Sequence, residues 1–217
     1  MKRVYIVVEG QTEQEFVNSV ISPYLQEFGI LSVTPVLVRT SRTGRGGMVS
    51  YLHLANTIKP LLISEKSDYI VTTFIDFFRL PHDMPHYGDS MKKSDKIEQI
   101  KSLEEAINKA IGDRRFFSYI QLHEFEALLF SSNKGFEYYF SEELAAKTAS
   151  IISSYDNPED INTSPEGAPS KRLLAIKSDY NKVLEGNLIA LEIGIKSILE
   201  KCPRFAEWIK TIIEKSE

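Results

Sequence analysis

Short unbroken apolar runs alternate along this chain with longer amphipathic stretches, the pattern of strands interleaved with helices. Val4–Val8 is apolar throughout, too short and too β-branched for a helix, and predicts a buried strand. Its two apolar faces suit the centre of a parallel sheet covered by helices. Phe16, Val17, Val20, Ile21, Tyr24, Leu25 and Phe28 then recur at helical spacing, with Pro23 expected to kink or restart the helix and Gly29 to end it. Leu31–Arg39 predicts a second strand, which Pro35 assigns to a sheet edge. Residues 48–66 read as helix with a break at Pro60, and Asp68–Phe78 as the third strand. Asp95, with Glu98 at capping-box spacing, opens a helix whose stripe is Ile97, Ile100, Leu103, Ile107 and Ile111 and whose stop is Gly112.

Phe116–Leu122 predicts a fourth strand. Beyond it the pattern is helical. Ser141 caps a helix to Ser154, Tyr155–Gly167 is a polar linker, and Ser170 is the expected N-cap of the next helix. Leu188–Leu199 and Phe205–Ile213, with Trp208, carry further apolar stripes. The expected fold is α/β, a Rossmann-like parallel sheet of about four strands flanked by helices. It occupies residues 1–135, and residues 136–217 form a helical extension packed on it.

Composition narrows the function classes. With 217 residues, 42% hydrophobic and 26% charged, the chain suits one compact domain with a helical appendage. A net charge of -4 provides no global basic footprint, so nucleic-acid binding would need a local basic patch. Cys202 is the single cysteine, which excludes a disulfide framework and a cysteine-based zinc site and makes a reducing cytoplasm the expected compartment. No apolar run approaches membrane-spanning length, and the run after Met1-Lys2-Arg3 stops at Glu9, a poor signal peptide. A membrane partner is not expected.

The candidate chemistry lies at the ends of the strands. The first strand finishes on Glu9-Gly10, the third on Asp76, and the fourth runs into His123-Glu124-Phe125-Glu126. In open α/β sheets ligands bind at the carboxyl ends of the strands. If the first and third strands are parallel neighbours, Glu9 and Asp76 emerge side by side and repel unless a proton or cation lies between them. Oxygen-only ligation favours magnesium or manganese. His123 and Glu126 share a face if a helix begins there; Glu124 and Glu126 share one if the strand continues. The ordinary alternative for each is an acidic helix start favoured by the macrodipole.

Local basic segments could place a phosphate. Thr40–Gly47 is glycine-rich and carries Arg42 and Arg45, without the Lys-Ser/Thr ending of a P-loop. Lys171 and Arg172 follow directly on Ser170, where they oppose the macrodipole but concentrate positive potential for an anion. His82 and His86 read as surface residues of a proline-punctuated loop that would overhang the same edge.

Glu9-Gly10-Gln11-Thr12-Glu13 after an apolar strand resembles the opening motif of Toprim domains, the metal-binding folds of topoisomerases, bacterial primases and overcoming-lysogenization-defect nucleases. In that pattern a strand-end glutamate and glycine are followed by a strand ending in Asp-x-Asp. Glu9 matches the glutamate and Asp76 the first aspartate, while the second position holds Phe78. More closely, Glu9-Gly10, Asp76–Pro81, His123–Phe130 and Pro169–Leu173 resemble, in this order, the motifs of an uncharacterised bacterial Toprim-like family. The resemblance implies a Toprim-like fold, bacterial origin, a role in phage defence or DNA processing, and work beside an ATPase.

The expected function is therefore a magnesium- or manganese-dependent phosphodiesterase, a nuclease. Glu9, Asp76, Glu124 and Glu126 would hold the ion, Glu9 and His123 would be catalytic, and Arg42, Arg45, Lys171 and Arg172 would bind phosphate. Phe78 favours the alternative of a non-catalytic regulatory or binding subunit of an ATPase. A third reading is a nucleotide-binding domain acting on a small phosphorylated ligand.

Overall fold

The computed structural model describes residues 2–40, 47–63, 68–161 and 167–217. Strand β1 (Arg3–Val8) is followed by α1 (Gln11–Phe16), a π-helical turn (Val17–Ile21) and α2 (Ser22–Glu27). The expected single helix is thus interrupted where Pro23 restarts it at the head of α2, and Gly29, at φ 77°, turns the chain away. Next come β2 (Ser32–Leu37), α3 (Tyr51–Leu61) and β3 (Tyr69–Asp76). Pro60 lies in the last turn of α3. After α4 (Tyr87–Ser90), α5 (Lys96–Ile111) starts and stops as its sequence predicts. The Asp95 carboxylate accepts from the Glu98 N–H at 3.0 Å, and Gly112 closes the helix in the left-handed region.

The strands lie in the order β2-β1-β3-β4, all parallel, where β4 is Phe116–Phe117. β2 is an edge, where Pro35 removes no needed donor. A fifth strand, β5 (Ile120–Gln121), pairs with the end of β3. The expected continuous strand 116–122 is therefore split. At the break the Tyr119 N–H donates to Thr73 Oγ1 (2.8 Å) and the Thr73 hydroxyl to the Tyr119 carbonyl (2.8 Å). A side chain of β3 thus replaces one rung of the backbone ladder, while Asn108 Oδ1 takes the Ser118 N–H at 2.7 Å.

The chain continues as α6 (Glu126–Leu129), α7 (Lys134–Tyr139), α8 (Glu142–Ile152), a 3₁₀ turn (Pro158–Asp160), α9 (Pro169–Ile176), α10 (Glu185–Ile193), α11 (Ile195–Lys201) and α12 (Pro203–Ser216). Ser141 caps α8 as expected. Both faces of the sheet are covered. Val4, Ile6 and Val8 pack with Phe16, Phe125 and Trp208 on one side; Val7 and Val71 pack with Leu54, Ile58 and Leu103 on the other. The first cluster is continuous from β1 to α12. Trp208 stacks on Tyr119 (4.5 Å) and Phe74 (5.4 Å), and its indole N–H donates to Thr72 Oγ1 at 3.0 Å. Among the described residues no helix is long and apolar enough to cross a membrane.

Candidate metal centre

The carboxyl ends of β1 and β3 deliver the acidic cluster. The two strands are neighbours, with Val8 opposite Phe74, so the chain leaves the sheet at Glu9 and Asp76 on one edge. Gly10 opens α1, whose first turn carries Glu13, and α6 opens on Glu126. A Cβ on Gly10 would lie 2.9 Å from Glu13 Oε2, so glycine leaves that carboxylate its place. From the turn between α9 and α10, Lys182 reaches into the same space. Its Nζ is 3.2 Å from Glu126 Oε2, 3.6 Å from Glu13 Oε1 and 3.8 Å from Asp76 Oδ2. Asp76 is fixed by its other oxygen, which accepts the Phe125 N–H at 3.0 Å. Glu126 is fully buried, and its Oε1 has no hydrogen-bond partner among the described residues.

Three acids sharing one partly exposed ammonium, with Glu9 beside them, set the electrostatics. Burial, then the Glu13 charge, pushes Glu9 up to about 7, against Lys182 and the N–H groups of Met48 and Asp76. Burial also raises Asp76 far above the usual carboxylate range, with Glu13, Glu9 and Glu126 adding to it and Lys182 opposing. Glu126 moves the same way, for burial first. Burial works against the Lys182 charge, but Asp76, Glu126 and Glu13 outweigh it and hold the ammonium above the ordinary lysine range.

The other sequence-predicted residues divide. Glu124 acts as scaffold, its Oε2 accepting the Ser170 N–H at 3.1 Å. Ser170 is consequently not the N-cap of α9. Pro169 holds the first turn, and Glu124 supplies the acceptor from another element. Glu124 still adds its charge to that felt by Glu126. His123 lies at φ 69°, left-handed for a non-glycine residue, where the chain swings from β5 into α6. Its imidazole is buried, and burial followed by the Lys96 charge pulls its pKa down to about 4; the cluster's carboxylates are not what acts on it.

Arg172 is tied down, with Nε to the Gly167 carbonyl (2.8 Å) and Nη2 to the Tyr155 hydroxyl (3.1 Å), whereas Lys171 is exposed. Arg42 and Arg45 lie outside the described residues. In the 81–89 loop His82 stacks on Tyr87 at 4.8 Å. Sequence reasoning missed Glu13 and Lys182. The signal for Glu13 was its place at the end of the Glu9–Glu13 motif; Lys182, in a polar turn, carries no local signal.

The oxygen set suits a hard cation, and the orphaned Glu126 oxygen points the same way. With Lys182 in place, no three His, Cys, Asp or Glu side chains among the described residues stand as a ready ligand group. A divalent ion would be held by Glu9, Glu13, Asp76 and Glu126 once the ammonium withdraws. Lys182, 37% exposed, has a path to solvent.

Residues 8–213 match the sequence family described as "Domain of unknown function (DUF4276)". The chain belongs to that family. The DUF4276 match starts on the last residue of β1 and ends inside α12, so it contains every residue of the cluster. Comparison with curated proteins finds no match. Among solved structures, the C-terminal region of the Xanthomonas campestris pv. campestris OLD protein, phased with iodine, is similar at 16% identity and a TM-score of 0.44, covering 100% of this chain and 94% of that chain. The same region phased with mercury aligns at 14% identity and a TM-score of 0.39, over 97% of this chain and 98% of that chain.

Proposed function

We propose that this DUF4276 protein is a magnesium- or manganese-dependent phosphodiesterase acting on nucleic acid, with Glu9, Glu13, Asp76 and Glu126 as the metal-holding oxygens. The observation that carries this reading is the convergence of three carboxylates, brought from α1, β3 and α6, on a single ammonium, with Glu9 at the end of β1 close enough to feel the Lys182 charge and to act on Asp76. Such a group is costly to bury for stability alone, and it lies at the sheet edge where α/β proteins bind ligands. When bound, the ion supplies Lewis acidity toward a phosphoryl oxygen and a lowered pKa for water.

The chain's own residues do the rest. Glu9, lifted to about 7 by burial and the Glu13 charge in the ion-free pocket, is the carboxyl suited to releasing a proton near neutral pH as the ion enters. His123, sequestered and neutral there, is the weaker candidate for that step, and its carbonyl instead accepts the Phe78 N–H at 2.9 Å, holding the end of β3. Lys171 offers an exposed cation for the polynucleotide backbone.

The test is manganese-dependent cleavage of DNA and RNA by purified wild type, Glu9→Gln and Asp76→Asn. Either variant should fall by at least about a hundredfold; unchanged cleavage overturns the assignment.

One observation favours a second reading, a non-catalytic subunit of an ATPase. Phe78 adds no oxygen two residues after Asp76; its ring lies 5.3 Å beneath the Arg79 guanidinium. Calorimetric titration with manganese separates the two, since absence of uptake near millimolar concentration favours the subunit.

A further inference from the structure

Lys182 is held where it is by its own turn. The Asn181 N–H donates to Glu185 Oε2 at 2.7 Å and the Leu184 N–H to Asn181 Oδ1 at 3.0 Å. Lys177 clamps both ends, 2.9 Å from Asp179 and 3.1 Å from Glu185. The ammonium presented by this braced turn lies within 3.8 Å of three carboxylates from three different elements. Those same carboxylates are the oxygens a divalent ion would need.

The charge balance limits what else can enter. Glu9, Glu13, Asp76 and Glu126 bring four negative charges when ionised, and Lys182 brings one positive. A divalent ion added with the ammonium kept would set two cations against the same oxygens, so its entry requires the ammonium to move away. Phe78 supplies no further oxygen on this strand end.

We infer that Lys182 is the resident cation of the cluster and that a divalent ion binds these carboxylates only in competition with the ammonium. This rests on the metal-site reading above and adds its regulation. Whatever shifts the α9–α10 turn outward frees the carboxylates, and whatever seats it closes them.

The experiment is calorimetric titration and thermal unfolding of the full chain with manganese chloride alone, on wild type, Lys182→Met and Glu126→Gln. Wild type should take up manganese, and Glu126→Gln should lose most of that binding. Lys182→Met should bind at least about tenfold more tightly, because the competing charge is gone, and its melting temperature should rise further on adding manganese. A crystal of wild type soaked in manganese chloride that holds the ion with the Lys182 ammonium still on Glu13, Asp76 and Glu126 overturns the inference, and that measurement needs no variant to fold. Equal or weaker binding by Lys182→Met, with uptake still dependent on Glu126, overturns it while leaving the metal site standing. No uptake by either protein overturns both.

Discussion

The two edges of the sheet carry comparable charge and treat it oppositely. At the amino end of the strands, Lys2, Arg114, Arg115 and Lys215 line a cavity of about 410 Å³. There Arg115 is saturated: Nε donates to Asp113 Oδ1 (3.0 Å), Nη1 to the Tyr69 hydroxyl (2.7 Å), and Nη2 to the Leu62 carbonyl (2.7 Å) and Asp113 Oδ2 (2.6 Å). Lys2 in turn donates to the Lys215 carbonyl. At the carboxyl end, three buried or nearly buried carboxylates share one ammonium and a fully buried oxygen goes without a partner among the described residues. Charge density alone therefore does not separate the two ends; what differs is satisfaction, with Arg115 fully paired at one and a buried carboxylate oxygen left short of partners at the other.

That contrast can be broken most forcefully at Arg115. Arg115→Ala should lower the melting temperature by about 5 °C or more, since it leaves Asp113, Tyr69 and a carbonyl without their donor. A smaller drop than that caused by Lys182→Met would reverse the ranking of the two edges.

Next in size is a pH effect at Glu9. Its folded pKa, about 7, stands above the ordinary 4.5, so the native state holds the extra proton. The stability this proton contributes is fully present below 4.5 and is lost as pH rises toward 7. His123 runs the other way: with a folded pKa of about 4 against 6.5, its burial costs stability as pH falls below 6.5. The two oppose each other between pH 4.5 and 6.5, so the informative quantity is a difference. Glu9→Gln should gain stability relative to wild type from pH 4.5 to 7 in chemical denaturation, and a flat difference would mean Glu9 is not desolvated.

A smaller effect sharpens the division between ligand and scaffold. Glu124→Ala should cost about 1 kcal/mol through the start of α9 and leave manganese uptake within a few-fold; lost uptake in calorimetry would return Glu124 to the metal set. Smallest is Lys171→Ala. It should weaken oligonucleotide binding a few-fold and reduce the salt slope by about 1, with the melting temperature unmoved; fluorescence anisotropy across a salt series reads it.

What could be read from the sequence follows from which forces are local. Val4–Val8 ending on Glu9, the edge position announced by Pro35, and the helix bounded by Asp95 and Gly112 all depend on neighbours within a few residues, and all stand in the fold. The side-by-side emergence of Glu9 and Asp76 followed from strand direction once β1 and β3 were read as parallel neighbours. The rest depended on partners distant in sequence. Thr73 splits the fourth strand from across the sheet, Glu124 caps a helix that begins at Pro169, and the left-handed backbone at His123 swings the chain from β5 into α6. Lys182 lay beyond reach for the same reason: no periodicity or cap marks a residue whose meaning is given by Glu13, Asp76 and Glu126.

The Trp208 indole, hydrogen-bonded to Thr72 and stacked on Phe74, makes the last helix a clamp on the middle of the strand that ends at Asp76. Proteolytic trimming at residues 203–216 would thus be felt four residues further along that strand, at the acidic pocket itself. Protease sensitivity of the chain's tail should fall when manganese is supplied, though the two lie on different parts of the molecule.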